Sequence, residues 1–226
     1  SLTFTRLSCD GEEGYPGNLL VSVRYTFDDE CRLGIHYQAL CDQDTVINLT
    51  NHSYFNLDGE DSESVEGQHL QIFADSFAEN DAGCLPTGRI VSLDSEEGAP
   101  FDFREPTEIG KRLHEENIHL KNGSGYDHNY LLKKQPDGLC ARAYSRSSGI
   151  LLECRTSEPG MQLYTGNFLS TSNIVGKGGK SYADRAGFCL ETQHYPNAME
   201  HPEFPSVVLP AGELYDTTTE YHISLL

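Results

Sequence analysis

Leu19-Leu20-Val21-Ser22-Val23-Arg24-Tyr25-Thr26-Phe27, then Asp28-Asp29, then Arg32-Leu33-Gly34-Ile35-His36-Tyr37-Gln38-Ala39: two runs rich in β-branched and aromatic residues alternate across a turn signal. Successive side chains of a strand point to opposite faces, so each run offers one apolar and one polar side. The pattern recurs outward from this pair, at residues 1–6, 45–50, 69–73, 89–93, 126–132, 139–145, 150–156, 161–168, 186–192 and 221–225. Turn residues break the runs, among them Asp10-Gly11, Pro16-Gly17, Asp58-Gly59 and Ser148-Gly149. Short strands at this spacing predict an all-β chain, folded as a large antiparallel β-sandwich. Pro136-Asp137-Gly138 between two runs predicts a hairpin, and Thr107 predicts the N-cap of a short helix reaching Leu113. No linker is long enough to divide residues 1–226, so a single domain is expected.

Composition removes several function classes. Sixteen Lys and Arg stand against 35 Asp and Glu, a formal charge of −19. Nucleic-acid binding calls for a basic face, and anionic membranes for a basic patch. Neither partner is expected, and no run of 18 apolar residues suggests a membrane span. No Gly-rich nucleotide-binding turn follows a strand. The seven cysteines are scattered and never form Cys-x-x-Cys. With no secretory signal in view, they predict buried free thiols and a cytoplasmic protein. The chain opens on Ser1 within an alternating run, which reads as a strand already in progress and predicts a processed or truncated start.

Four segments carry the residues suited to chemistry. In Asn48-Leu49-Thr50-Asn51-His52-Ser53-Tyr54-Phe55-Asn56-Leu57, strand alternation puts Asn48, Thr50, His52, Tyr54 and Asn56 on one face. Donors and acceptors without strong charge suit sugar hydroxyls, although an exposed strand with a structural His fits the same pattern. In Gly123-Ser124-Gly125-Tyr126-Asp127-His128-Asn129, glycines that permit close backbone approach lead into Asp127. A turn with a capping Asp fits equally. Gln162 and Tyr164 share a face of the run that follows Pro159-Gly160. Glu191 sits within Phe188-Cys189-Leu190-Glu191, where burial would raise its pKa toward the range of a general base. A paired structural carboxylate is the plain alternative. No His-Glu-x-x-His or Cys pairing suggests a metal centre, and no Gly-x-Ser-x-Gly suggests a serine nucleophile.

Taken in order, these segments resemble the aldose 1-epimerase (galactose mutarotase) family. The resemblance rests on Asn51 to Leu57, Gly125-Tyr126-Asp127-His128, Pro159 to Asn167, and Leu190-Glu191-Thr192-Gln193 followed by Pro196-Asn197-Ala198. Gly11 to Gly17, Leu85-Pro86-Thr87-Gly88 and Leu209 to Tyr215 add to it. It implies a large sandwich with a sugar cleft, interconverting the α and β anomers of hexoses such as D-galactose and D-glucose without a cofactor. It implies that Glu191 is the base at the C1 hydroxyl, His52 the acid at the ring oxygen, and Asp127 and Gln162 partners of substrate hydroxyls. Asn51 and Tyr54, within the same motif, are expected to bind substrate as well.

The resemblance breaks in two places. Asn197 stands where many relatives carry Asp. Relatives also have an N-terminal portion that supplies an Asn-Arg phrase and a second His to the site. This chain has no counterpart of either, its first His being His36. The resemblance therefore implies the C-terminal portion of a longer sandwich, with unpaired sheet edges or an open cleft where strands are lacking. Two other functions fit the same residues: a non-catalytic sugar-binding module, and a glycosidase using Asp127 and Glu191. A phosphorylated sugar would call for Arg in the cleft motifs, and these contain none.

Overall fold

A computed structural model describes residues 1–172 and 175–226. Its strands are β1 (Leu2–Ser8), β2 (Leu19–Phe27), β3 (Arg32–Cys41), β4 (Thr45–Val46), β5 (His69–Ile72), β6 (Ala74–Asn80), β7 (Pro86–Ser92), β8 (Thr107–Glu108), β9 (Asp127–Leu132), β10 (Leu139–Tyr144), β11 (Ile150–Thr156), β12 (Gly160–Tyr164), β13 (Cys189–Gln193), β14 (Val208–Leu209) and β15 (Leu214–Leu225). A large sheet runs β1-β2-β3-β15-β11-β10-β5-β8, and a smaller one runs β13-β12-β9-β6-β7. The pairings are antiparallel, as the alternating runs predict. No helix among the described residues is long and apolar enough to cross a membrane.

The two sheets pack face to face. Ile35, Tyr37, Ala39 and Cys41 alternate inward from β3, and Tyr130, Met161, Leu163 and Leu190 meet the core from the small sheet. Tyr126 and Tyr130 bury their rings completely, and their hydroxyls donate to the carbonyls of Pro100 and Phe101 at 2.8 and 2.9 Å. That pairing removes the cost of burying a phenol. The small sheet does not reach the far edge of the large one. Leu2 and Phe4 of β1 face the same side as Tyr25 and Val23 of β2, yet both stand 58% exposed.

Several sequence expectations fail, each for a local reason. Pro136-Asp137-Gly138 forms a turn but no hairpin. β9 before it pairs with β12 and β6, whereas β10 after it pairs with β11 and β5, so the turn carries the chain between sheets. Thr107 caps no helix, because its backbone pairs with Leu70 in the edge strand β8 and its hydroxyl donates to the Glu105 carbonyl. A single 3-10 turn, Ile109–Lys111, does form within the expected range, with Glu108 rather than Thr107 at its N-cap. The α-helix is α1 (Ile118–Gly123), where the Asn117 side chain accepts from the N–H groups of His119 and Leu120. Residues 48–57 form no strand, Leu57 lies in a turn, and Phe55 alone among them makes a β-bridge, to Phe188. Asn side chains compete for backbone partners here: Asn48 pairs with the backbone of His194, and Asn56 donates to the Ala186 carbonyl. The thiols are free, but Cys9 and Cys31 are exposed rather than buried.

His128 ties the core to the cleft side. Its ring is fully buried against Phe77 and Phe101, and its Nδ1 accepts the backbone N–H of Asp127 at 3.1 Å. Burial, reinforced by nearby His119, pulls its pKa down to about 3. The folded state therefore keeps His128 neutral, while the unfolded chain takes up a proton below about pH 6.5. Stability is lost as pH falls from about 6.5 toward 3. Relative to His128→Phe, the wild type should lose about 1.4 kcal/mol of unfolding free energy per pH unit in this window. Urea unfolding at pH 7.5, 6 and 5 measures it, and parallel pH profiles for the two proteins would exclude the assignment.

Candidate functional site

The register of three strands builds one polar patch. β12 lies between β9 and β13, with Gln162 opposite Asn129 and Glu191, and Tyr164 opposite Asp127 and Cys189. Directly opposed residues share a face. Asp127, Asn129, Gln162, Tyr164, Cys189, Glu191 and Gln193 therefore stand on the side away from the large sheet, while His128, Met161, Leu163 and Leu190 take the other. The core-side assignment is visible in contacts across the layers: Met161 meets Cys140, and the Tyr221 hydroxyl donates to the Leu190 carbonyl at 2.6 Å.

The segment carrying His52 and Tyr54 lies beside β13. Phe55 and Phe188 exchange two backbone hydrogen bonds at 2.8 and 2.9 Å. The Asn48 side chain donates to the His194 carbonyl and accepts its N–H, clamping the other end. Between these anchors the imidazole of His52 reaches over the patch. Its Nε2 is 3.4 Å from Glu191 Oε1, and its Nδ1 is 3.4 Å from Cys189 Sγ. Tyr54 and Tyr164 flank the ring at centroid distances of 4.9 and 5.8 Å.

His52, Tyr54, Asp127, Gln162, Tyr164, Phe168, Glu191, Gln193 and Pro196 line an open cleft of about 290 Å³. That is near the lower end of the range for small-molecule sites. Of the residues expected from sequence, His52, Tyr54, Asp127, Gln162 and Glu191 meet here. Asn51 does not line the cleft; its Oδ1 accepts from the buried Tyr221 hydroxyl at 3.2 Å. That bond turns the Asn51 side chain toward the core while its neighbour His52 enters the cleft. Tyr164 lies in the cleft on the same face as Gln162, as the alternation of that run predicts, whereas the sequence reading did not single out Gln193 or Cys189, although each sits two residues from Glu191 and period-two spacing points to them. The glycines before Asp127 also differ from expectation. A Cβ on Gly125 would stand 2.7 Å from Asn167 Oδ1, so the close approach is to a buried side chain and not to a ligand. Asn167 in turn donates to the carbonyls of Gly123 and Tyr126, which holds the loop leading into β9.

Burial sets the charges. Glu191 is 8% exposed, and its burial, followed by the nearby Asp127 carboxylate, pushes its pKa up to about 7. Asp127 is also raised by burial, against the opposing effects of a 2.7 Å hydrogen bond from Gln162 Nε2 and the charge of His52. Burial, then the surrounding thiol, phenol and carboxylates, lift the Tyr54 hydroxyl to about 12, so it stays protonated. His52, Cys189 and Glu191 bring three possible metal-ligand atoms within 4.8 Å. Sulfur and carboxylate, however, lie against different ring nitrogens, so a single imidazole nitrogen would have to turn from one partner to serve both. The arrangement suits proton transfer: a carboxylate poised near neutrality beside an imidazole, with hydrogen-bonding groups around them.

The family model described as aldose 1-epimerase matches residues 1–222. The chain belongs to the aldose 1-epimerase family. It is 46% identical to the galactose mutarotase of Bos taurus and 38% identical to the aldose 1-epimerase of Escherichia coli, across 98% and 96% of this chain. It spans 62% of the length of each. Among solved structures, an aldose epimerase homologue from C. elegans superposes with a TM-score of 0.87 at 31% identity, over 99% of this chain and 65% of that one. The fold is therefore the galactose mutarotase-like β-sandwich. Within this member of the family, Asn197 adopts a left-handed backbone (φ 59°) and its amide donates to the Pro86 carbonyl at 3.1 Å. Asn tolerates that conformation, and an Asp could not make the donor bond.

The carboxylate pair yields a direct test. Glu191 in the ligand-free protein should titrate near pH 7 by carboxyl ¹³C NMR. Asp127→Asn removes the neighbouring negative charge and should move that midpoint downward. A Glu191 midpoint at the ordinary carboxylate value, unmoved by Asp127→Asn, would contradict this electrostatic account.

Proposed function

We propose that this chain carries the acid–base centre of a cofactor-independent aldose 1-epimerase acting on hexoses such as D-galactose and D-glucose. The observation that carries the reading is the 3.4 Å approach of His52 Nε2 to a buried Glu191 whose pKa lies near neutrality. Ionised Glu191 takes the proton from the C1 hydroxyl, and protonated His52 gives one to the ring oxygen. The ring C1–O bond breaks, C1 becomes a carbonyl, and the C1–C2 bond rotates. Closure on the other carbonyl face reverses both transfers and delivers the other anomer.

One proton leaves and one arrives, so a base and an acid suffice. Asp127 and Gln162 act as a hydrogen-bonded pair receiving sugar hydroxyls, and Tyr54 and Tyr164 form apolar walls with polar tips. Asn51 supports the site from below rather than touching sugar. The small-molecule partner is a monosaccharide, the expected location is the cytoplasm, and the acidic surface suits neither nucleic acid nor membrane. In this reading residues 1–226 are one sandwich domain and the C-terminal share of a longer protein. The 62% span and the bare core-facing side of β1 and β2 support that organisation.

Anomer exchange of fresh α-D-galactose, followed by NMR or optical rotation, tests the proposal. Glu191→Gln and His52→Asn should each lower the catalysed rate by about 10²-fold or more. The kcat/KM of the wild type should rise with pH through about 7 as Glu191 ionises. Galactose binding with an exchange rate equal to the uncatalysed one would assign the chain to the sugar-binding module instead.

A further inference from the structure

Cys189 has no part in the proton transfers described above, yet it touches the acid. It stands on the cleft face of β13, two residues before Glu191 and opposite Tyr164. It is fully buried, and its Sγ lies 3.4 Å from His52 Nδ1. Burial, with the Glu191 and Asp127 carboxylates beside it, drives the thiol pKa well up, so the sulfur keeps its hydrogen at neutral pH. The groups facing the imidazole are thus two carboxylates, Glu191 from β13 and Asp127 from β9, and three neutral side chains, Cys189, Tyr54 and Tyr164.

We propose that Cys189 is a positioning residue for His52: its neutral thiol holds Nδ1 in every protonation state, so that Nε2 alone carries the mobile proton into the cleft. The role rests on the acid function assigned to His52 above. A thiol is both a weak donor and a weak acceptor, and its hydrogen rotates freely. With the ring neutral and Glu191 ionised beside Nε2, the ring proton sits on Nε2 and the thiol donates to Nδ1. With the ring protonated, Nδ1–H donates to sulfur. When Nε2 passes its proton to the sugar ring oxygen, the remaining ring proton stays on Nδ1 against sulfur, and the bare Nε2 can take the proton back on closure. The thiol hydrogen never leaves sulfur.

The neutrality of this partner matters. A carboxylate at Nδ1 would stabilise the imidazolium and make it a poorer acid toward an ether oxygen. A thiol orients the ring without that penalty.

The test compares Cys189→Ala and Cys189→Ser with wild type in the full-length protein. Cys189→Ala should lower kcat for anomer exchange by about tenfold, with KM within about twofold, because the acid is misaligned rather than removed. Cys189→Ser should recover most of that loss. Glu191 still holds the proton on Nε2 in Cys189→Ala, so the readout is Nδ1: its ¹⁵N shift, read without sugar with the ring neutral, should be that of a hydrogen-bonded imine nitrogen in wild type and Cys189→Ser, and move to that of an unbonded one in Cys189→Ala. A wild-type kcat for Cys189→Ala, or a lowered kcat with an unchanged Nδ1 shift, overturns the positioning role. Should the wild type fail to exchange anomers at all, the acid assignment falls, while an unchanged Nδ1 shift in Cys189→Ala separately removes the contact's influence on the ring.

Discussion

The registration of β9, β12 and β13 is the constraint on which the site depends. Because side chains alternate with a period of two, one strand can give Met161 and Leu163 to the core and Gln162 and Tyr164 to the cleft. A slip of one residue in β13 would put Glu191 into the core and Leu190 into the cleft. The apolar demand of the inter-sheet core therefore fixes the position of the Glu191 carboxylate. His128 shows the same coupling from β9: its buried, neutral ring accepts the backbone N–H of Asp127.

The cleft is built by adding an irregular segment to that regular floor. Residues 48–57 are held at Phe55 by a short bridge and at Asn48 by a paired side chain, and between these anchors the chain is free of ladder bonds. His52 can then approach two residues of β13 at once. Burial of Glu191 beneath it does the electrostatic work, raising a carboxylate to the pH range where it exchanges protons readily, and Asp127 adds to the effect.

Much of this was readable beforehand, and the failures are instructive. Alternation located β2, β3, β9 to β13 and the C-terminal part of β15 within a few residues. It passed over β6, whose Ala74-Asp75-Ser76-Phe77-Ala78-Glu79-Asn80 mixes small and acidic residues and is held by neighbours on both sides. It also overextended Asn48–Leu57, where Asn side chains use backbone partners that a ladder would need. Residues 136–138 make the turn their composition predicts, but a turn does not state which sheet the next strand joins.

Residue order alone established the all-β class, the family, and the candidates His52, Asp127, Gln162 and Glu191, because alternation and motif spacing are local properties of a chain. Folding was needed to turn Asn51 toward Tyr221, to bring Cys189 against Nδ1 of His52, and to lift Glu191 toward neutrality. Those facts depend on which segments from distant parts of the chain bury one another. Desolvation and charge proximity act through space, and no short window of sequence contains them.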